Sequence, residues 1–253
     1  VSYYLSLSIA VRVARNWPGG RAGMGGDVMA WMAPIDAYCE RLDPSFWAEP
    51  VNAVTNAAFV IAAAWMWARL RFLPAMPGRG IAKALCVILA MIGLGSFLFH
   101  TEATAWAAAA DTTPIALYVV LYIYAANRYF WALSWPKAFV ATALFFPYAA
   151  ITIPLFAKMP VLGVSAGYMP VPVMILTYAI LLRSRRPEVA RGLAIGGGLL
   201  LLSLTFRSLD MPMCHHVPMG THFMWHILNA VMLGWMIEVL RRHLIAGRLK
   251  AQP

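Results

Sequence analysis

The chain reads as an all-α polytopic membrane protein, a seven-transmembrane helix bundle, on three observations. Apolar residues make up 62% of its 253 positions and charged residues only 12%, with a mean hydropathy of +0.69, an apolar share well above that of a soluble domain. Seven stretches approach the roughly 20 apolar residues a helix needs to cross a bilayer core: 51–72, 81–100, 106–127, 137–157, 160–182, 190–206 and 220–241. Between them the cations fall in alternate connections. Helices are the expected form, because lipid offers no partner to an unpaired backbone group.

The formal charge of +10 raises nucleic acid as a partner, but its placement excludes that reading. Arg69, Arg71, Arg79 and Lys83 lie between spans one and two, Arg128 and Lys137 between three and four, and Arg183, Arg185, Arg186 and Arg191 between five and six. Arg241, Arg242, Arg248 and Lys250 follow span seven. The positive-inside rule puts these connections in the cytoplasm. The N-terminus is then outside, periplasmic or lumenal, and the C-terminus cytoplasmic.

Taken in order, residues 1–33 are expected to be a loosely ordered tail. Their short apolar run precedes Arg12 and Arg15 instead of following them, the wrong order for a secretory signal. The first residue is valine, and one reading places the natural start at Met24 or Met29. The bundle is expected over 34–245, with a short tail over 246–253. Three cysteines are too few for a disulfide scaffold. Cys39 and Cys214 both fall on the outward, oxidising side, where a bridge between them is one reading. Cys86 sits within span two as a small apolar residue.

Ionisable groups inside spans are costly, and here they gather at one depth. "GSFLFHTEATAWAAAAD" places Ser96 and His100 four apart at the outer end of span two and Asp111 at the outer start of span three, while "GTHFMWHILNA" places His222 and His226 at the start of span seven. Residues i and i+4 share a helix face. Three imidazoles can therefore meet one ion and leave a fourth position open, the pattern of a catalytic zinc site. Asp111 would orient the attacking water and take its proton; Ser96 would donate a hydrogen bond to a substrate carbonyl. Each residue alone has a plainer reading, since a histidine in a span is commonly structural and a serine commonly bonds back to its own helix. His215 and His216, in an outer loop, need no metal, and His243 reads as cytoplasmic surface. Arg207 and Asp210, ending span six, suggest a snorkelling or mutually paired structural role.

These motifs, together with "CERLDPSFWAEPVN" ahead of span one, resemble the alkaline ceramidases, a branch of a seven-transmembrane hydrolase superfamily that includes the adiponectin receptors; the resemblance runs over about residues 36–245. It implies zinc on His100, His222 and His226, with Asp111 and Ser96 beside it, and a calcium site in the acidic segment. For calcium, Glu40 and Glu49 occupy matching positions, with Asp36 and Asp43 nearby on a shorter spacing. Four carboxylates so close suit a hard cation, and a solvated acidic loop explains them as well.

The expected function is hydrolysis of the N-acyl bond of ceramide, or of a similar N-acyl lipid, to a fatty acid and a sphingoid base. The expected partners are that lipid and the bilayer. Two other readings stay open: a receptor-like or channel-like protein with a structural zinc, and a hydrolase of ester-linked lipids. Asp111 favours an enzyme, since a structural metal has no use for a carboxylate beside an open position.

Overall fold

The computed structural model describes residues 29–250; most of the expected N-terminal tail, Met24 included, and residues 251–253 lie outside the described residues. The helices that build the bundle are α1 (Pro50–Thr55), α2 (Ala57–Arg71), α3 (Arg79–Glu102), α4 (Ala105–Ala125), α5 (Trp135–Ala143), α6 (Phe145–Phe156), α7 (Pro170–Leu182), α8 (Pro187–Met213) and α9 (His222–Lys250). A π turn, Ala126–Phe130, extends α4, and a 3₁₀ segment, Pro160–Tyr168, leads into α7. The last helix thus continues to Lys250, past the boundary expected at 245.

Among the described residues six helical stretches are long and apolar enough to cross a membrane: Pro50–Arg71, Arg79–Glu102, Ala105–Phe130, Trp135–Phe156, Pro187–Met213 and His222–Leu249. They point to a multi-pass integral membrane protein. The expected fifth span is different. Its two halves, Pro160–Tyr168 and Pro170–Leu182, meet at 73°, so residues 160–182 count as a span only if a broken one is allowed. The cause is local: Gly163 leaves helical geometry at φ 47° and ψ −127°, and Pro160, Pro170 and Pro172 bring no amide donor to the helix.

Burial identifies the axis of the bundle. Two-thirds of the α9 window (67%) is buried, against 17% of the Trp135–Phe156 window, so α9 is central and the fourth span peripheral. Apolar burial around α9, with Phe59, Leu89, Leu193 and Ile237 all at 1% exposure or less, is supplemented by directed bonds. Tyr118 and Tyr122, one turn apart on α4, donate to the α9 carbonyls of Leu233 (2.7 Å) and Met236 (3.0 Å). Trp235 Nε1 on α9 donates to the Gly192 carbonyl on α8 at 2.8 Å. Such bonds matter between helices in lipid, where the hydrophobic effect gives little reason for apolar faces to associate.

The basic ends of the spans lie together. Arg69 at the end of α2 reaches Glu238 on α9, which also pairs with Arg241 and Arg242. His243, expected at the surface, is half-buried there, with Nε2 3.0 Å from the Tyr129 carbonyl. At the opposite end, residues 33–49 fold across the helix tips. Ile35 N–H donates to the Ala103 carbonyl (2.7 Å) and Ala105 N–H to the Ala33 carbonyl (3.1 Å), forming an isolated antiparallel bridge beside the α3–α4 turn. A Cys39–Cys214 disulfide joins this segment to the α8–α9 connection, and Cys86 is free and buried in α3.

Alkylation of the denatured protein, read by mass spectrometry, is expected to label Cys86 alone before reduction and all three cysteines after it. Three labels without reduction would exclude the bridge.

Candidate metal centre

The site begins where α3 and α4 cross. A Cβ at Gly95 would run into the Ala110 carbonyl oxygen, so only glycine lets the two backbones approach this closely. The next residue on each helix is Ser96 and Asp111. Both are buried, and Ser96 Oγ and Asp111 Oδ1 each lack a hydrogen-bond partner. One turn beyond Ser96, on the same face, stands His100.

The start of α9 supplies the other two imidazoles, and Asp210 at the end of α8 fixes that start. Its Oδ1 accepts the N–H groups of Thr221 (2.7 Å) and His222 (2.9 Å), and its Oδ2 accepts that of Cys39 (3.0 Å). These are donors that the first turn of a helix leaves unpaired, plus one from the strap that folds over the site. Gly220, at φ 67°, lets the loop pass the carboxylate, which a Cβ would meet. His222 is then stacked between Tyr38, with ring centroids 3.9 Å apart, and Trp225, at 5.3 Å.

His100, His222 and His226 are each at most 1% exposed. They can offer one nitrogen apiece with all three atoms within 4.8 Å of one another. Their outer hydrogen bonds bear on the tautomers. His100 Nδ1 lies 2.5 Å from Glu49 Oε2, and Glu49 Oε1 takes the Arg41 Nε–H at 2.5 Å, so the carboxylate is an acceptor and His100 Nδ1 carries the proton. His226 Nδ1 lies 2.9 Å from Thr55 Oγ1. With that hydroxyl donating to the Val51 (2.8 Å) or Asn52 (3.1 Å) carbonyl, His226 Nδ1 is the donor; with it donating to the imidazole, the proton sits on Nε2.

The two Nε2 atoms face each other 3.1 Å apart. In the first tautomer two lone pairs meet there and repel unless a cation lies between them; in the second the contact is a hydrogen bond that a metal would replace. Tetrahedral zinc, with Zn–N of about 2.0–2.1 Å, separates two nitrogen ligands by about 3.3–3.4 Å. The histidines fit a metal of this kind, and Glu49 and Thr55 are the outer partners such ligands have. His222 Nδ1, buried and unpartnered, is the third available donor.

The acidic segment does not assemble as calcium requires. Asp36 and Asp43 are exposed, and Asp43 accepts the Ser45 N–H at 2.7 Å, which together with the Ser45 hydroxyl holds its carboxyl below the usual range. Glu40 instead accepts the N–H groups of Val51 (2.7 Å) and Asn52 (2.8 Å) in the first turn of α1; burial raises its pKa and those bonds partly offset the rise. Burial likewise raises Glu49, with Arg41 pulling it back down. Of the four residues expected to bind calcium, one serves His100, one caps a helix and two face outward, and among the described residues the histidine trio is the only such metal-capable group.

Arg207 and Asp210 are not paired with each other, as the sequence suggested. Arg207 Nη1 donates to Tyr38 Oη at 2.9 Å, and its guanidinium lies 5.2–5.7 Å from the rings of Tyr38, Tyr168 and Trp225. Burial pushes the Tyr38 phenol up, so it stays neutral. His215 and His216 are exposed in the loop and outside the cluster. Sequence reasoning missed Thr55, Tyr38, Arg41 and the capping role of Asp210; only Asp210, an isolated acid at a span end, carried a readable signal.

Fold and site together define a class: a multi-pass helical protein with a buried three-histidine centre at one end of its bundle. The family model described as Ceramidase matches residues 37–248, and the chain belongs to that family. Membership makes it a hydrolase acting on an amide bond. No curated protein matches the sequence.

Two substitutions test this geometry. Gly95→Ala is expected to force α3 and α4 apart and lower bound zinc and activity together. Asp210→Asn sets an NH₂ group against one of the three N–H donors, and thermal unfolding in detergent is expected to show a loss of about 1–3 kcal/mol.

Proposed function

We propose that the protein is a zinc-dependent amidase that hydrolyses the N-acyl bond of ceramide or a similar N-acyl lipid. The observation that carries the metal is the cluster of three buried imidazoles, each able to offer a nitrogen within 4.8 Å of the others, with His100 and His226 held from behind by Glu49 and Thr55. The observation that supports catalysis is the pair of buried oxygens on Ser96 and Asp111, brought together where α3 and α4 cross, with Ser96 one turn from His100. A structural metal site has no use for either oxygen, which disfavours the receptor-like alternative.

When bound, zinc supplies the Lewis acidity that makes water a nucleophile near neutral pH. Asp111 accepts the proton that water loses as its oxygen attacks the amide carbonyl carbon. Ser96 donates a hydrogen bond to the carbonyl oxygen as negative charge develops there. Asp111 then returns the proton to the leaving nitrogen as the C–N bond breaks, giving a fatty acid and a free amine. Part of the acyl chain fits the apolar cavity of about 70 Å³ that lies further along α9, walled by Ile92, Tyr118, Tyr168, Asn229 and Met232 among others; the rest of the chain needs room outside it. The basic end of the bundle faces the cytoplasm, which puts the metal centre and the N-terminus on the outer or lumenal side.

The test is incubation of detergent-purified protein with an N-acyl sphingosine. Asp111→Ala is expected to retain zinc while turnover falls about 10²–10⁴-fold; His222→Ala is expected to lose both. Fatty-acid release undiminished in both variants would refute the mechanism.

A further inference from the structure

Arg41 stands inside the acidic segment and is only 8% exposed. Its guanidinium is surrounded by oxygen. Nε donates to Glu49 Oε1 at 2.5 Å and Nη2 to the His100 carbonyl at 3.0 Å. Nη1 donates to the carbonyls of Asp43 (3.2 Å) and Ser45 (3.4 Å). A carboxylate and main-chain carbonyls drawn from separate stretches of chain are the ligands a hard divalent cation takes. Here a side chain of the protein itself stands at their centre.

The bonds converge on one metal-centre histidine. His100 lies in the last turn of α3, whose final carbonyls have no partner within the helix, and a cation at a helix C-terminus is favourable. Arg41 thus holds the backbone of His100 directly and holds its imidazole through Glu49, whose second oxygen is 2.5 Å from Nδ1. Without Arg41, Glu49, at 2% exposure, would keep only the imidazole N–H and a 3.4 Å contact from Asn52 Nδ2. A buried carboxylate left that way is strongly destabilising.

We propose that Arg41 is a positioning residue of the metal centre, a built-in cation that braces His100 and makes the site independent of calcium. The role assigned to His100 rests on the zinc reading above; calcium independence does not.

The experiment uses the full chain in detergent, with zinc alone and calcium alone as probes and no substrate. Zinc affinity is read by competition with a chromogenic chelator, and the thermal midpoint is read at saturating zinc, without calcium and in millimolar calcium. The wild-type midpoint is expected to be the same in both. Arg41→Met, with helix content and the Cys39–Cys214 disulfide checked as intact, is expected to weaken zinc binding about 10–100-fold, the range for loss of an outer partner. Arg41→Lys is expected to recover part of that loss, since one ammonium cannot reproduce the planar fork. A calcium-dependent wild-type midpoint, or wild-type zinc affinity in Arg41→Met, overturns the proposal. If Arg41→Met does not fold, Arg41→Lys decides, and unchanged zinc affinity there overturns it. Zinc binding without amide hydrolysis would instead sink the amidase reading and leave this one standing.

Discussion

Three imidazoles gathered inside a low-dielectric bundle are the constraint on which the rest of the structure depends. Nothing in lipid or protein makes that arrangement favourable by itself, so the surroundings must hold it. Glu49 and Thr55 hold two of the rings from their far side. Asp210 fixes where α9 begins, and the Gly95 crossing fixes how close α3 comes to α4. Each device is small. Together they over-determine the positions of five side chains drawn from three helices, which is what a preorganised centre requires.

Charge is handled differently at the two ends of the molecule. At the basic end, Glu238, itself buried, gathers three arginines from α2 and α9, of which Arg69 and Arg242 are exposed, so that their long side chains can reach the interface. At the metal end the buried charges are few, and each has a named partner: Glu49 with Arg41 and His100, and Asp210 with three N–H groups. Asp111 is the exception: buried beside Ser96, it has no cation or main-chain N–H bonded to it among the described residues, and in the proposed reaction it is the group that moves the proton.

Much of this was legible in the sequence. Hydropathy located four spans within about three residues, and two more whose helices, Pro187–Met213 and His222–Leu249, run well past the expected ends at 206 and 241, because length and apolar content are what a bilayer selects. The i, i+4 pairs and alternating topology brought His100, His222, His226, Ser96 and Asp111 to one end, because helical periodicity and span direction are strict. The broken segment at 160–182 was read as a plain span, since its apolar content hides a backbone interruption set by Gly163 and three prolines. The acidic segment suits both a calcium site, as the resemblance implies, and a solvated loop, because composition shows which charges are near in sequence and not which oxygen points where. Arg41 lies among those acids in the chain, and only the folded loop shows that it turns inward.

The bend between Pro160–Tyr168 and α7 bears on how a lipid is chosen. Tyr168 and Val171, on either side of the break, help to line the apolar cavity. If the acyl tail of the proposed substrate passes this wall, it leaves one hydrocarbon medium for another, so the transfer contributes almost no driving force. Preference among tails must then come from how their shape suits the lining, and most of the binding free energy from the polar headgroup end, where water is displaced.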